Sequence, residues 1–320
     1  MHIFRLTILM FLAAVLSGCT PVLPDTPYPA SDTYRVPTAI RFNLARRNFF
    51  LHVPPGIAPD EPLPLVVVLH GAFSTALQTE AETGFSALAD RENFFVAYPE
   101  GIGLFGLLHH WNAGHCCGKA AADKIDDVGY LAEVIAVVSG RVAVDQRRIY
   151  LVGMSNGGMM TYRYAIERGY ELAAIAVVSA TIGSSRGEEP PAWTIPPPIQ
   201  PLPVIAFHGT GDEHIPPEGG PIPLKGGARS YRPVAEAMEY WRTANGCEQP
   251  PQIRDETSGA MTGFIWDNCR DGQRVEYYRL KDWGHRWPAP YFTAGLADDD
   301  GLKNFDATER IWRFLRDFRR

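Results

Sequence analysis

The chain has 320 residues, of which 46% are apolar and 21% charged, with a formal net charge of −6. This is ordinary globular composition, and the roughly 285 residues beyond an N-terminal leader suit one large α/β domain better than two small ones. The charge is modest and evenly spread. No Lys/Arg block marks a nucleic-acid partner and no acidic run marks a disordered tail.

The first residues point to export. Arg5 sits in a short positive region, and residues 6–16 (LTILMFLAAVL) form an apolar run. As a helix it rises only about 16 Å, too little for a bilayer core of roughly 30 Å, so residues 1–18 read as a signal peptide. The run ends in Leu16-Ser17-Gly18-Cys19, which resembles a bacterial lipobox, whose cysteine thiol receives diacylglycerol. The alternative is a plain secretory leader that happens to end near a cysteine. Residues 19–34 are Pro-rich and read as a lipidated tether. The expectation is an exported lipoprotein in the outer membrane, the periplasm or at the cell surface, held to the membrane through Cys19. Cys116, Cys117, Cys247 and Cys269 then remain, an even number in an oxidising compartment. Of three connectivities the most economical joins Cys247 to Cys269. Cys116 and Cys117 could form only a vicinal ring.

Residues 35–320 read as a single domain. Segments 35–42 and 48–53 look like an opening hairpin. Residues 65–70 (LVVVLH) are a continuous apolar run bounded by Pro and Gly, as a buried parallel strand should be. A helical stretch closes at 85–91 and a strand follows at 94–98. Residues 126–138 carry apolar side chains at helical spacing, with Asp126 or Asp127 as cap. Strand 148–152 leads into helix 155–169. Strands at 173–179 and 202–208 flank a Pro-rich insertion, and a helix covers about 231–244. The last strand is 274–280, and the terminal helix at 306–318 has Asp306 and Glu309 at capping-box spacing. The alternation predicts a doubly wound, mostly parallel sheet with a leading antiparallel hairpin.

The chemistry centres on Gly153-Met154-Ser155-Asn156-Gly157, between a strand and an apolar helix. A nucleophile held proud of a sheet needs a hard strand-to-helix turn, with glycines where side chains would collide. Of nine histidines, only His285 follows the last strand and precedes the terminal helix, the place where a fold of this kind delivers its base. Asp212, just past strand 202–208, completes the order Ser155, Asp212, His285. Its rivals are Asp282, too near His285 in sequence, and Asp267, inside the expected disulfide loop. The oxyanion hole is expected from the N–H of Asn156 and that of Ala72, with Phe73 in reserve. The stretch His109-His110-Trp111-Asn112-Ala113-Gly114-His115-Cys116-Cys117 reads as a structured loop at the site rim rather than a zinc site, since adjacent cysteines rarely both ligate. Phe73, Trp111, Trp283 and Trp287 are candidate substrate-binding residues. An aromatic wall suits sugar faces or hydroxycinnamoyl rings, and plain packing beneath the loops is the equal alternative for the tryptophans.

Five motifs occur in one order: HGAF, WNAGHCC followed by DDVGYL, GMSNGGMM, HGTGDEHIP and WGHRWP. Together, over about residues 35–318, they resemble the polyhydroxybutyrate depolymerase and feruloyl esterase-like hydrolases. The resemblance implies an α/β-hydrolase fold and a carboxylic-ester hydrolase without metal or organic cofactor. Its triad would fall on Ser155, Asp212 and His285. The sequence departs from the pattern at Phe73, Trp283 and Ala289, beside the triad, so acyl and alcohol preference do not carry over. The expected substrates are extracytoplasmic esters, either hydroxyalkanoate oligomers or hydroxycinnamoyl and acetyl sugar esters. The alternatives are a serine peptidase on the same scaffold and a non-catalytic lipoprotein that binds glycan or polyester. A binding module has no use for a strained nucleophile turn.

Overall fold

The structure, a computed structural model, describes residues 32–42, 45–58, 60–104, 107–186, 196, 200–224, 227–298 and 300–320. The expected leader, Cys19 and residues 19–31 of the tether lie outside these. The first strand begins at Asp32, three residues before the expected domain start.

Ten strands form one sheet. In chain order they are β1 (Asp32–Phe42), β2 (Ala45–Val53), β3 (Leu63–Leu69), β4 (Phe95–Pro99) and β5 (Val144–Met154), then β6 (Ala174–Val178), β7 (Val204–Gly209), β8 (Gln252–Glu256), β9 (Met261–Trp266) and β10 (Val275–Leu280). Their spatial order is β1-β2-β4-β3-β5-β6-β7-β10-β9-β8. The six inner strands from β4 to β10 are mutually parallel. An antiparallel hairpin finishes each edge. The leading hairpin and the doubly wound parallel core are as the alternation predicts.

The trailing hairpin was not expected. Its strands lie between Cys247 and Cys269, in a segment whose polarity and Pro/Gly content read as loop. The period-2 signal is nevertheless present in β9, where Met261, Gly263 and Ile265 are buried and their neighbours are half-buried. The outermost strand β8 is exposed or half-buried throughout and carries Arg254, Asp255 and Glu256, the charged character that discourages edge-to-edge pairing.

Every residue of β3 is buried because helices cover both faces. Leu65, Val67 and Leu69 join a core with Leu131 and Val134 of α4 (Asp127–Ser139), Met159 and Tyr162 of α5 (Asn156–Arg168) and Trp241 of α6 (Val234–Ala244). Val66 and Val68 join the opposite core. That core contains Ala76 of α1 (Ala76–Thr83), Phe85 and Leu88 of α2 (Phe85–Glu92), and Ile311 and Trp312 of α7 (Ala307–Leu315). The short helix α3 (Gly118–Ala122) precedes α4. Asp126 caps α4 by accepting from Gly129 N–H, and Asp306 caps α7 through Thr308 and Glu309 N–H. Helix α6 starts at Val234 rather than 231. Tyr231 ends a strand, Gly227–Tyr231, of a separate three-stranded sheet with Gly220–Leu224 and Ser184–Arg186, and Pro233 precedes the first helical turn. No helix among the described residues is long and apolar enough to cross a membrane.

A buried ion pair ties the leading hairpin to this core. Arg47 Nη1 of β2 lies 2.7 Å from Asp127 Oδ1, with both side chains almost wholly enclosed. The guanidinium stacks over Tyr130 at 3.4 Å and donates to Glu100 O, while Asp127 Oδ2 accepts from Asn112 N–H. Burial raises the Asp127 carboxyl above its usual range, and the Arg47 charge opposes that shift.

Cys247 and Cys269 are joined. The sulfurs of Cys116 and Cys117 also face each other as an adjacent pair.

Two stability predictions follow from these links. Asp127→Ala leaves the Arg47 charge buried and unpaired, which should cost about 3–5 kcal/mol of unfolding free energy in urea titration. A loss below about 1 kcal/mol would show that Arg47 finds water or another acceptor. Cys247→Ser opens a covalent loop that the chain-entropy model values at about 3 kcal/mol. Thermal unfolding should therefore fall by several degrees, and reductant should lower wild type but not the variant. Because β9 pairs with β10 along six residues, the far-UV signal should stay native well below the transition.

Candidate active site

The carboxyl ends of β3, β5, β7 and β10 deliver the loops that meet at the site. Strand β5 ends at Met154 and α5 begins at Asn156. Ser155 bridges them at φ 55° and ψ −124°, a strained position for a side-chain-bearing residue. Its N–H donates to Val178 O of β6 and its carbonyl accepts from Met159 N–H. The turn is forced by close packing. A Cβ on Gly157 would stand 2.4 Å from His70 O and 2.5 Å from Leu69 O, so only glycine lets α5 start against the end of β3.

The acid and base loops are laced together. Thr210 N–H donates to Leu280 O and Gly211 N–H to Trp283 O, while Asp282 N–H donates to Thr210 Oγ1. A Cβ on Gly209 would stand 1.9 Å from Trp283 O, so that crossing too requires glycine. The lacing puts His285 Nδ1 2.8 Å from Asp212 Oδ2, and His285 Nε2 2.9 Å from Ser155 Oγ. Asp212 Oδ1 accepts from His214 and Ile215 N–H. Burial disfavours the Asp212 charge. Hydrogen bonding from His208 and His285, the His285 charge and the Ile215 N–H outweigh that and hold its carboxyl well below the usual range. An ionised Asp212 accepts a hydrogen bond from His285 Nδ1–H, which leaves Nε2 to accept from the serine hydroxyl. The rivals for the acid stand elsewhere: Asp282 is exposed and Asp267 accepts from Gln252.

The loop that carries Ala72 is built on buried His70. Its Nε2 accepts from Gly101 N–H at 2.9 Å, so its proton is on Nδ1, which donates to Gly71 O at 2.7 Å. Burial is the main influence on this ring and lowers its pKa to about 4, so it is neutral at ordinary pH. Tying the Gly71 carbonyl turns the Ala72 N–H of the same trans peptide to the other side. Phe73 N–H is taken by His109 O, which leaves Ala72 as the donor this loop can offer. The N–H of Asn156, first in its helix, is an unpaired helical donor of the same kind. Ser155 Cβ is 3.4 Å from where a Cβ on Gly71 would stand, so both donors flank Ser155.

The rim loop docks on the same helix start. Asn156 Oδ1 accepts from Trp111 N–H at 2.7 Å and its Nδ2 donates to Trp111 O at 3.0 Å. Trp111 Nε1 in turn donates to His70 O. Of the four candidate substrate-binding residues, only Phe73 faces solvent, 65% exposed, with its ring edge-on to His110. Trp111, Trp283 and Trp287 are at most 2% exposed and do not form the expected wall. Each has its indole N–H satisfied inside the protein: Trp111 by His70 O, Trp283 by Arg286 O and Trp287 by Thr308 Oγ1. They pack beneath the loops that carry the site.

Among the described residues one cluster could gather a cation, namely His70, Glu100 and His109. Its donor atoms are already engaged. His70 Nε2 takes Gly101 N–H, while Glu100 Oε1 accepts from Ala76 N–H and lies 2.9 Å from His109 Nδ1. The cluster braces the Gly71-Ala72 loop. Glu100 and Gly101 were not singled out in the sequence, where only their position just after a strand end marked them.

Comparison with known proteins finds esterases. Residues 47–189 match the family model of the esterase PHB depolymerases. Feruloyl esterase B of Piromyces equi is 27% identical over 83% of this chain and 45% of its own length. Poly(3-hydroxyalkanoate) depolymerase C of Paucimonas lemoignei is 26% identical over 77% of this chain and 60% of its own. The chain thus spans about half the length of these two relatives. Among solved structures, the acetyl xylan esterase from Aspergillus awamori superposes with a TM-score of 0.56 at 16% identity, covering 80% of this chain and 94% of that one. The α/β-hydrolase fold is shared. Over residues 47–189 the chain is thus similar to the esterase PHB depolymerases, and the relatives it resembles are named as ester-cleaving enzymes.

Proposed function

We propose that the protein cleaves extracytoplasmic esters through an acyl-enzyme on Ser155, with His285 as base and Asp212 as its orienting acid. The observation that carries this reading is the continuous line of hydrogen bonds from Ser155 Oγ through both nitrogens of His285 to Asp212. As Ser155 Oγ attacks the ester carbonyl, its proton passes to His285 Nε2, and Asp212 stabilises the imidazolium. The oxyanion accepts from Ala72 and Asn156 N–H at the start of α5, where the helix dipole favours negative charge. His285 then protonates the leaving alcohol, and water activated by the same ring releases the acid.

The substrate classes proposed are hydroxyalkanoate oligomers and hydroxycinnamoyl or acetyl sugar esters, in keeping with the activities named for the relatives. The exposed side chains of Phe73 and Leu108 beside the oxyanion loop suit an acyl chain or an aromatic acid. For location, we propose export and anchoring through a lipidated Cys19.

Ser155→Ala and His285→Ala should each lower kcat/KM on p-nitrophenyl esters by about 10⁴-fold or more, and Asp212→Asn by about 10⁴-fold at neutral pH. A fluorophosphonate probe should label Ser155 alone. Labelling of another serine, or more than a few per cent of activity in Ser155→Ala, would sink the mechanism. A panel of methyl ferulate, acetylated sugars and hydroxybutyrate oligomers ranks the substrates.

Cys19→Ser should move the protein from the membrane to the soluble fraction or block its processing. Mass spectrometry of the mature N-terminus gives the direct answer, and an unlipidated start at another residue would refute the anchor.

A further inference from the structure

The ring of His214 lies against the ring of His285, with centroids 5.0 Å apart and planes inclined by 22°. The same residue donates its backbone N–H to Asp212 Oδ1 at 3.0 Å. His214 therefore touches both partners of the base, one with its main chain and the other with its ring. The side chain is exposed, so its placement is not explained by filling a core. Among the described residues neither of its ring nitrogens has a hydrogen-bond partner. What the ring does contact is the imidazole that carries the proton.

We infer that His214 is a positioning residue for the base, its ring holding the His285 imidazole flat and favouring the protonated form during turnover. The inference rests on the serine mechanism proposed above. The bonds to Asp212 and Ser155 fix His285 at its two nitrogens but leave the ring free to tilt about the line joining them. A parallel ring on one face closes that motion. It also acts more strongly after proton transfer than before. As the His285 ring takes up the serine proton it becomes a cation over a π face, which adds a cation–π attraction absent beforehand. An interaction that grows along the reaction raises kcat rather than tightening substrate binding.

Substitution can isolate the ring, because any residue but proline keeps the N–H bond to Asp212. His214→Ala should lower kcat by about 3- to 10-fold with KM changed less than about twofold. The rate of fluorophosphonate labelling, which needs the same proton transfer, should fall by a similar factor. His214→Phe, which restores a π face without a titratable nitrogen, should return kcat to within about twofold of wild type. Thermal unfolding should be unchanged in both variants, since the ring is exposed. Three results would overturn the inference: wild-type kcat in His214→Ala, His214→Phe as slow as His214→Ala, or a raised KM at constant kcat, which would make the ring a substrate contact. Ser155→Ala is run beside them. If it still turns over, the serine mechanism itself fails. If it is inactive while His214→Ala runs at full speed, only the role of His214 fails.

Discussion

The site depends on how closely the first turn of α5 approaches the end of β3. Gly157 lies against the carbonyls of Leu69 and His70 with no room for a Cβ. That contact sets where the helix can begin, and a helix beginning there forces Ser155 into its strained turn. It also fixes the Asn156 side chain, which holds Trp111 by both its N–H and its carbonyl. The rim loop, Ser155 and the Gly71-Ala72 loop are thus referenced to one backbone crossing, not to three independent packings. This economy suits a geometry in which errors of about 1 Å cost large factors in rate.

Two buried groups beside Ser155 are held in opposite charge states by their surroundings. Asp212 is enclosed yet stays ionised, because it collects donors from Ile215, His214, His208 and His285. His70 is enclosed and stays neutral, because Gly101 N–H occupies one nitrogen and desolvation dominates the ring. The first gives His285 its tautomer and the second turns a peptide plane. Neither role follows from residue type alone. Both follow from which hydrogen bonds the buried atoms are offered.

Much of this was legible in the sequence, for identifiable reasons. The continuous apolar run at 65–70 and the strand-turn-helix around Ser155 are local signals, and the triad order is a property of chain direction. The trailing hairpin was hidden because its Pro- and Gly-containing stretch resembles loop, and the alternation in β9 is short. For the tryptophans the sequence leaves wall and packing as equal readings, because an aromatic near a motif looks the same whether it faces ligand or core. Only their satisfied indole N–H groups separate the two. The bracing by Glu100 and Gly101 was beyond reach, since it joins residues about 30 positions from His70 through single atoms. The leader and Cys19 remain a matter of sequence pattern, outside the described residues.

The antiparallel run of β1 and β2 along the edge has a directional consequence. Asp32 pairs with Val53, and Val53 follows His52, which pairs with Val96 near the start of β4. The chain therefore enters the domain at the amino ends of the parallel strands, whereas Ser155, Asp212 and His285 sit at the carboxyl ends. An acyl anchor upstream of Asp32, of the kind proposed for Cys19, would fasten the domain by its underside. The candidate site would then lie at the opposite end of the sheet from the point where the chain enters it.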